Sequence, residues 1–237
     1  MMTTLCTLWL ALAGQALAAE PSERPSADTG DKIAAVIKAV EQDSIKRRIR
    51  LLAPEKAVRL AELIRRKKPA KVVEAGTAIG YSGLWIGREL KRAGRGKLIT
   101  MEIDPKIARE AKTNFQKAGL EEIVTLKLGD ARETAKEIEG PVDFLFIDCI
   151  PTNYYRVFLA LEDKLSDGAI VFADNAGYGA AGMKDYLKHV RGKYNSRTEW
   201  FDINLPWAKR DAVEITIVSQ GKKGPGPNGT VVPQVQL

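Results

Sequence analysis

Histidine and cysteine are nearly absent from this chain, which has one histidine and two cysteines in 237 residues. Cys6 lies in an apolar N-terminal segment and Cys149 is the only other, so once that segment is removed no internal disulfide can form. Cys149 follows a strand-like run and reads as a small core residue. The sole histidine, His189, falls in a late helical pattern that suits packing or surface better than proton transfer. No Tyr-x-x-x-Lys pattern is present, and the first strand-to-helix turn is not a dinucleotide-binding Gly-x-Gly-x-x-Gly, so a nicotinamide-dependent oxidoreductase is disfavoured. A long apolar run is missing too, since Leu5 to Ala18 falls short of the roughly 20 residues a membrane span needs. There is no internal repeat.

The charge balance has an excess of one sign, with 37 Lys and Arg against 30 Asp and Glu, a net +7. These cations fall in short groups such as Arg65-Arg66-Lys67-Lys68, where helices are expected to end and where they complement the helix dipole. No basic stripe with interleaved aromatics appears, so nucleic acid is not an expected partner. Residues 1–19 carry no charged side chain, and Ala16-Leu17-Ala18 has the Ala-x-Ala form of a signal-peptidase site. The expectation is a signal peptide over 1–18 and an exported protein without stable membrane insertion after processing, an uncleaved anchor being the alternative.

Residues 19–30 read as a linker and 221–237, rich in Pro and Gly, as a disordered tail with a glycosylation sequon at Asn228. The 31–220 stretch is the expected catalytic domain. Two helical patterns open it, over Asp31–Arg50 and, after Pro54, over Glu55–Lys67. Strand-like runs at 71–75, 97–102, 123–128, 142–148 and 168–173 then alternate with helical patterns at 81–93, 105–118, 131–139, 152–165 and 179–191. Such alternation predicts an α/β fold with a mostly parallel, Rossmann-like sheet covered on both faces. Two further strand-like runs, 198–203 and 211–219, lack a helix between them and predict an antiparallel edge hairpin, giving seven strands.

The first βα turn reads Glu74-Ala75-Gly76-Thr77-Ala78-Ile79-Gly80-Tyr81-Ser82. Glycines let backbone amides approach a ligand, and the helix start favours negative charge. With no pyrophosphate cradle, the nearer match is an adenosine cofactor with an amino-acid tail, S-adenosylmethionine. Each of the five parallel strands also ends in an acid: Glu74, Glu102, Asp130, Asp148 and Asp174-Asn175. In an open α/β sheet those ends form one rim where ligands bind. Any single acid there is explained by helix capping. Five together call for positive or donor-rich ligands. Glu102 suits a ribose diol, Asp130 the adenine amino group, and Asp148, Asp174 and Asn175 a hard divalent cation such as Mg²⁺.

These segments, with Met101-Glu102-Ile103-Asp104, Gly129-Asp130-Ala131, Phe144-Leu145-Phe146-Ile147-Asp148 and Ala173-Asp174-Asn175, resemble the metal-dependent class I O-methyltransferases, the family of catechol and caffeoyl-coenzyme A O-methyltransferases. The resemblance spans roughly residues 50–220. It implies that Glu74, Gly76 and Ser82 line the methionine and ribose side of the cofactor, that Glu102 holds the ribose, and that Asp130 and Ala131 border the adenine. Asp148 would face cofactor and metal, with Asp174 and Asn175 completing the metal ligands. The acceptor would be a small hydroxylated aromatic.

The chain departs from this pattern at Pro151, where the family places a lysine that deprotonates the acceptor hydroxyl. Proline accepts no proton. Lys209 and Asp211, near the hairpin loop, are the substitutes the sequence offers, while chelation by the cation itself acidifies a coordinated hydroxyl. The alternative is a catalytically impaired, methyltransferase-like cofactor or ligand binder. Tyr178, Pro206 and Trp207 lie in loops that either wall a flat acceptor or pack ordinarily. The 31–50 helix either covers the site or makes a homodimer contact.

Overall fold

The computed structural model describes residues 27–219, with side chains from Lys32 onward. The expected signal peptide, most of the linker, the tail and its sequon lie outside the described residues. The chain enters through α1 (Ala27–Arg47), and a left-handed Arg48, φ 56°, breaks that helix. Helix α2 (Pro54–Lys67) follows, with proline at its first turn.

The sheet strands are β1 (Lys71–Ala75), β2 (Lys97–Glu102), β3 (Val124–Leu128), β4 (Val142–Ile147), β5 (Leu165–Ala173), β6 (Asn195–Leu205) and β7 (Ala208–Ile217). Their order across the sheet is β3-β2-β1-β4-β5-β7-β6. The first five are parallel, and β7 pairs antiparallel with β5 and β6. This is the seven-stranded, mostly parallel sheet expected from the alternation. The hairpin folds inward, so its second strand lies against β5 and its first takes the edge.

The crossovers are α3 (Tyr81–Ala93), α4 (Pro105–Lys117), α5 (Ala131–Thr134), α6 (Tyr154–Leu161) and α7 (Lys184–Lys193). Period-2 alternation divides the strands between two apolar layers. Val72, Phe144 and Phe172 pack with α1–α4, whereas Val73, Leu145 and Val171 pack with α6 and α7. Amphipathic α3 and α4 cover the first layer with Leu84, Leu90, Ala111 and Phe115.

Three helical expectations come out shorter. The 131–139 pattern yields four α-helical residues and a 3-10 turn at Ala135–Glu137, because Gly140-Pro141 follows at once. The 152–165 pattern splits into 3-10 turns at Pro151–Asn153 and Glu162–Lys164 around α6, and Leu165 already belongs to β5. Within 179–191, α7 starts only at Lys184, since Gly177, Gly179 and Gly182 favour turns over helix. Helix α1 lies on α3 and α4, where the Tyr81 hydroxyl donates to Glu41 at 2.5 Å and Arg47 pairs with Glu110.

Candidate cofactor and metal site

A cavity of about 520 Å³ opens at the carboxyl ends of β1, β2 and β4, where the strand order reverses. Its floor is the β1–α3 turn. Gly76 and Thr77 both donate their amides to the Met101 carbonyl at 3.1 Å, tying the turn to the end of β2. Gly76 adopts φ +105°, and a Cβ there would lie 2.1 Å from the Asp148 carbonyl oxygen. No other residue fits that position. Gly80, φ +92°, then caps α3 in the left-handed region.

Glu102 is held rigidly at the cavity edge. One carboxylate oxygen accepts from the Ala78 amide at 2.9 Å, and the other accepts from the Ile103 and Asp104 amides at 2.9 and 3.0 Å. Asp130 and Ala131 also line the cavity. The Asp130 carboxylate caps α5 through the Arg132 amide and is gripped by the Arg132 side chain, whose hydrogen bonds hold its pKa below the usual carboxylate range. Part of the accepting capacity expected to face adenine is therefore spent on Arg132.

Glu74 departs from expectation. It is fully buried, does not line the cavity, and accepts from the Ser82 and Thr100 hydroxyls at 2.5 Å each. Burial pushes its carboxyl up to about 7. Its role is to hold Ser82, which does line the cavity.

Asp148, Asp174 and Asn175 converge at the far end. The Asn175 amide donates to Asp148 Oδ1 at 2.9 Å and to the Tyr154 hydroxyl at 3.3 Å, and among the described residues no hydrogen bond engages its Oδ1. Asn175 sits at φ +62°, a conformation asparagine tolerates better than most residues and one that concentrates at functional sites. Burial, and then the neighbouring Asp174 charge, drive the Asp148 pKa well above the carboxylate range. Burial raises Asp174 too, although Lys56 opposes this. Among the described residues no three His, Cys, Asp or Glu side chains form a metal-holding group, so the oxygen set here is two carboxylates and an amide.

The residue that sequence reasoning missed is Lys56. Its ammonium is buried at the first turn of α2 and donates to Asp174 Oδ1 at 2.6 Å and Asp211 Oδ2 at 2.5 Å. Burial works against that charge, but the two carboxylates hold its pKa above the ordinary lysine value. The available signal was a lysine four residues before Leu60, on the buried face of an amphipathic helix. Asp211 is equally enclosed, its Oδ1 accepting from the Gly177 and Tyr178 amides at 3.1 and 3.0 Å. Asp211 is thus buried and committed to three hydrogen bonds, one of them from an ammonium, and Lys209 is exposed and lines neither cavity. Neither is placed as a free base.

A second cavity of about 340 Å³ adjoins the first and shares Arg50, Leu51, Asp174, Asn175 and Tyr178 with it. Ile203, Leu205 and Trp207 form its apolar wall. Pro206 is exposed and takes no part in that wall. Pro151 lines the first cavity and packs by Gly179 and Gly182. The Arg50–Leu52 segment after α1, and not the helix itself, reaches the site.

Residues 73–176 match a family model described as a methyltransferase domain. A catechol O-methyltransferase from Bos taurus is 28% identical over 199 residues, covering 80% of this chain and 71% of that one. One from Niastella koreensis is 37% identical over 120 residues, covering 49% and 52%. An O-methyltransferase from Bacillus cereus, solved in complex with SAH, superposes with a TM-score of 0.65 at 20% identity over 82% of this chain and 92% of that one. The chain thus contains a methyltransferase domain, is similar in sequence to catechol O-methyltransferases and shares the fold of S-adenosylmethionine-dependent O-methyltransferases. The matched methyltransferase segment runs from within β1 to just past Asn175, so it carries Gly76, Glu102, Asp130, Asp148 and Asp174 but neither Lys56 nor Asp211.

Proposed function

We propose that the protein binds S-adenosylmethionine in the larger cavity and transfers its methyl group to a hydroxyl of a small catechol-like acceptor in the smaller one, with a divalent cation such as Mg²⁺ at Asp148, Asp174 and Asn175. The observation that carries this reading is the charge at the junction of the cavities. Asp148, Asp174 and Asp211 face only one buried ammonium, Lys56, so the excess of carboxylate is relieved either by protonation, the direction in which Asp148 and Asp174 are already pushed, or by a bound cation. Buried charge in that excess is unfavourable unless something positive joins it. Two carboxylates and an amide carbonyl suit a hard cation, with water completing its shell.

Each half of the site then has a task. The rigid Glu102 carboxylate accepts from a ribose diol, while the Gly76 backbone and Ser82 bound the methionine end of the cofactor. Ile203, Leu205 and Trp207 give a flat aromatic ring an apolar wall, and Tyr178 borders both cavities. When bound, the cation supplies charge stabilisation and acidifies a chelated hydroxyl. The chain itself supplies no general base at Pro151, and Lys56 is occupied by two carboxylates. Such assistance is typically worth about 10²–10⁴-fold, so slow turnover is expected. Rate comes from alignment of methyl donor and acceptor within adjoining cavities.

Calorimetry with S-adenosylhomocysteine, paired with methylation of catechol with and without EDTA, tests this. Binding plus EDTA-sensitive methylation supports the proposal; absence of cofactor-product binding would overturn it. Pro151 favours one second reading, a cofactor-binding protein that no longer turns over. Binding without methylation across a panel of phenols with Mg²⁺ supplied would select it, and activity gained by Pro151→Lys would show an otherwise intact site.

A further inference from the structure

Lys56 is hard to explain as a stabilising residue. It occupies the first turn of α2, where the helix dipole disfavours a cation and where no side chain caps the end. A buried ion pair is in general weak evidence for stability, because apolar replacements of similar volume are often neutral or better. Nor does an ammonium have any acceptor capacity. What Lys56 does have is position. It links α2 to the ends of β5 and β7, touching a candidate metal ligand with one hydrogen bond and Asp211 with another. Asp211 in turn holds the amides of Gly177 and Tyr178, the loop that borders both cavities.

We propose that Lys56 is a positioning residue that sets the charge of the metal site: it neutralises one of three buried carboxylates, confines Asp174 to its remaining oxygen as a ligand, and through Asp211 fixes the acceptor wall at Gly177 and Tyr178. The site so balanced takes one divalent cation. This inference rests on the metal-assisted reading above. It makes a prediction that a packing role does not, because two substitutions that each remove a charge from the same network should move cation affinity in opposite directions. Losing the ammonium leaves the site more negative; losing the Asp211 carboxylate leaves it less so.

The test is Mn²⁺ titration, by calorimetry and electron paramagnetic resonance, of the full chain and of Lys56→Met, Lys56→Arg and Asp211→Asn. S-adenosylhomocysteine affinity serves as the check on folding. Lys56→Met should bind Mn²⁺ about tenfold more tightly and Asp211→Asn about tenfold more weakly, the order expected of one unit charge a few ångströms away. Lys56→Arg, which keeps the charge, should stay within about twofold. Both charge-removing variants should lose kcat on catechol while keeping their affinity for the cofactor product. Weakened or unchanged Mn²⁺ binding by a Lys56→Met protein that still binds the cofactor product would overturn the proposal. Should Lys56→Met fail to fold, the Lys56→Arg and Asp211→Asn pair decides: a shift in the first or none in the second overturns it. If the unsubstituted chain binds the cofactor product but no Mn²⁺, the metal-assisted reading itself fails and takes this inference with it.

Discussion

The two cavities meet at Asp174 and Asn175 but are built on opposite principles. The cofactor side is local. Its turn is closed by backbone amides that reach the adjacent strand end, and Glu102 is fixed by amides of its own and the neighbouring turn. The acceptor side is assembled across the chain, with Lys56 meeting partners 118 and 155 residues away. One half is limited by space, since an added Cβ at Gly76 would overlap a carbonyl. The other is limited by charge, since every buried ion there depends on another for its counter-charge. Adding atoms should damage the first half, and removing charges the second.

The largest effect is expected where space is least. Gly76→Ala must place a Cβ 2.1 Å from the Asp148 carbonyl oxygen at φ +105°, and it should abolish S-adenosylhomocysteine binding in calorimetry or prevent folding. Gly94→Ala is the contrast. It too has positive φ, but nothing lies within 4 Å of the new methyl, so its cost should be about 1 kcal/mol in chemical denaturation. Equal behaviour of the two variants would break the comparison. On the charge-limited side, Asp174→Asn keeps the shape and an oxygen for Lys56 while removing one negative charge. It should lower kcat/KM for catechol by about 10²–10³-fold, a loss typical of a lost electrostatic stabiliser, with cofactor-product affinity nearly unchanged. A parallel loss of cofactor affinity would show that the halves are not separable.

This division also explains what could be read from the sequence. The alternation of strands and helices, the antiparallel hairpin and the acids at the strand ends follow from periodicities and turn residues that act over a few positions. The helical patterns at 131–139 and 179–191 run longer than the helices because Gly140-Pro141 and the glycines at 177, 179 and 182 end or delay them, local signals that the apolar pattern masks. The resemblance places Glu74 at the cofactor; only the fold shows that pleat alternation turns it toward Thr100 on β2 and Ser82 on α3. Lys56 was invisible for a different reason. A lysine early in an amphipathic helix reads as solvated until β5 and β7 bring Asp174 and Asp211 to it, and nothing local encodes that meeting.

Glu74 offers a sharper test of the space-limited half, because its environment carries a cost that pH reveals. Burial raises its pKa from 4.5 to about 7, so between those values the folded state keeps a proton that the unfolded chain has lost. Stability from this group should therefore fall as pH rises through 4.5 to 7, by about 3 kcal/mol in full, and stay reduced above pH 7. Denaturant unfolding at pH 5 and pH 7.5 measures the slope, and Glu74→Gln should flatten it. An unchanged slope would mean that the carboxylate is stabilised in its ionised form by Ser82 and Thr100.

The smallest effect within the site should come from Glu102→Gln, and it asks whether damage on the cofactor side stays there. The carboxylate accepts three backbone amides and still has capacity for a diol, because two ionised oxygens offer about four lone-pair sites. Glutamine replaces one oxygen with a donor, so either the Ala78 amide or those of Ile103 and Asp104 must face another N–H, and the ribose loses a charged acceptor. A hydrogen bond to a charged group is worth about 1.5–3 kcal/mol. Part of that cost falls on the free turn as well as on the complex, so S-adenosylhomocysteine affinity should weaken by about tenfold, close to the lower end of the range. The KM for catechol and the Mn²⁺ affinity should not move, since Glu102 is absent from the smaller cavity and its hydrogen bonds go to Ala78, Ile103 and Asp104 and to none of the proposed metal ligands. A shift in either would mean that the β1–α3 turn transmits strain to Asp148 through the close Gly76 contact, and that space and charge are coupled where the two halves touch.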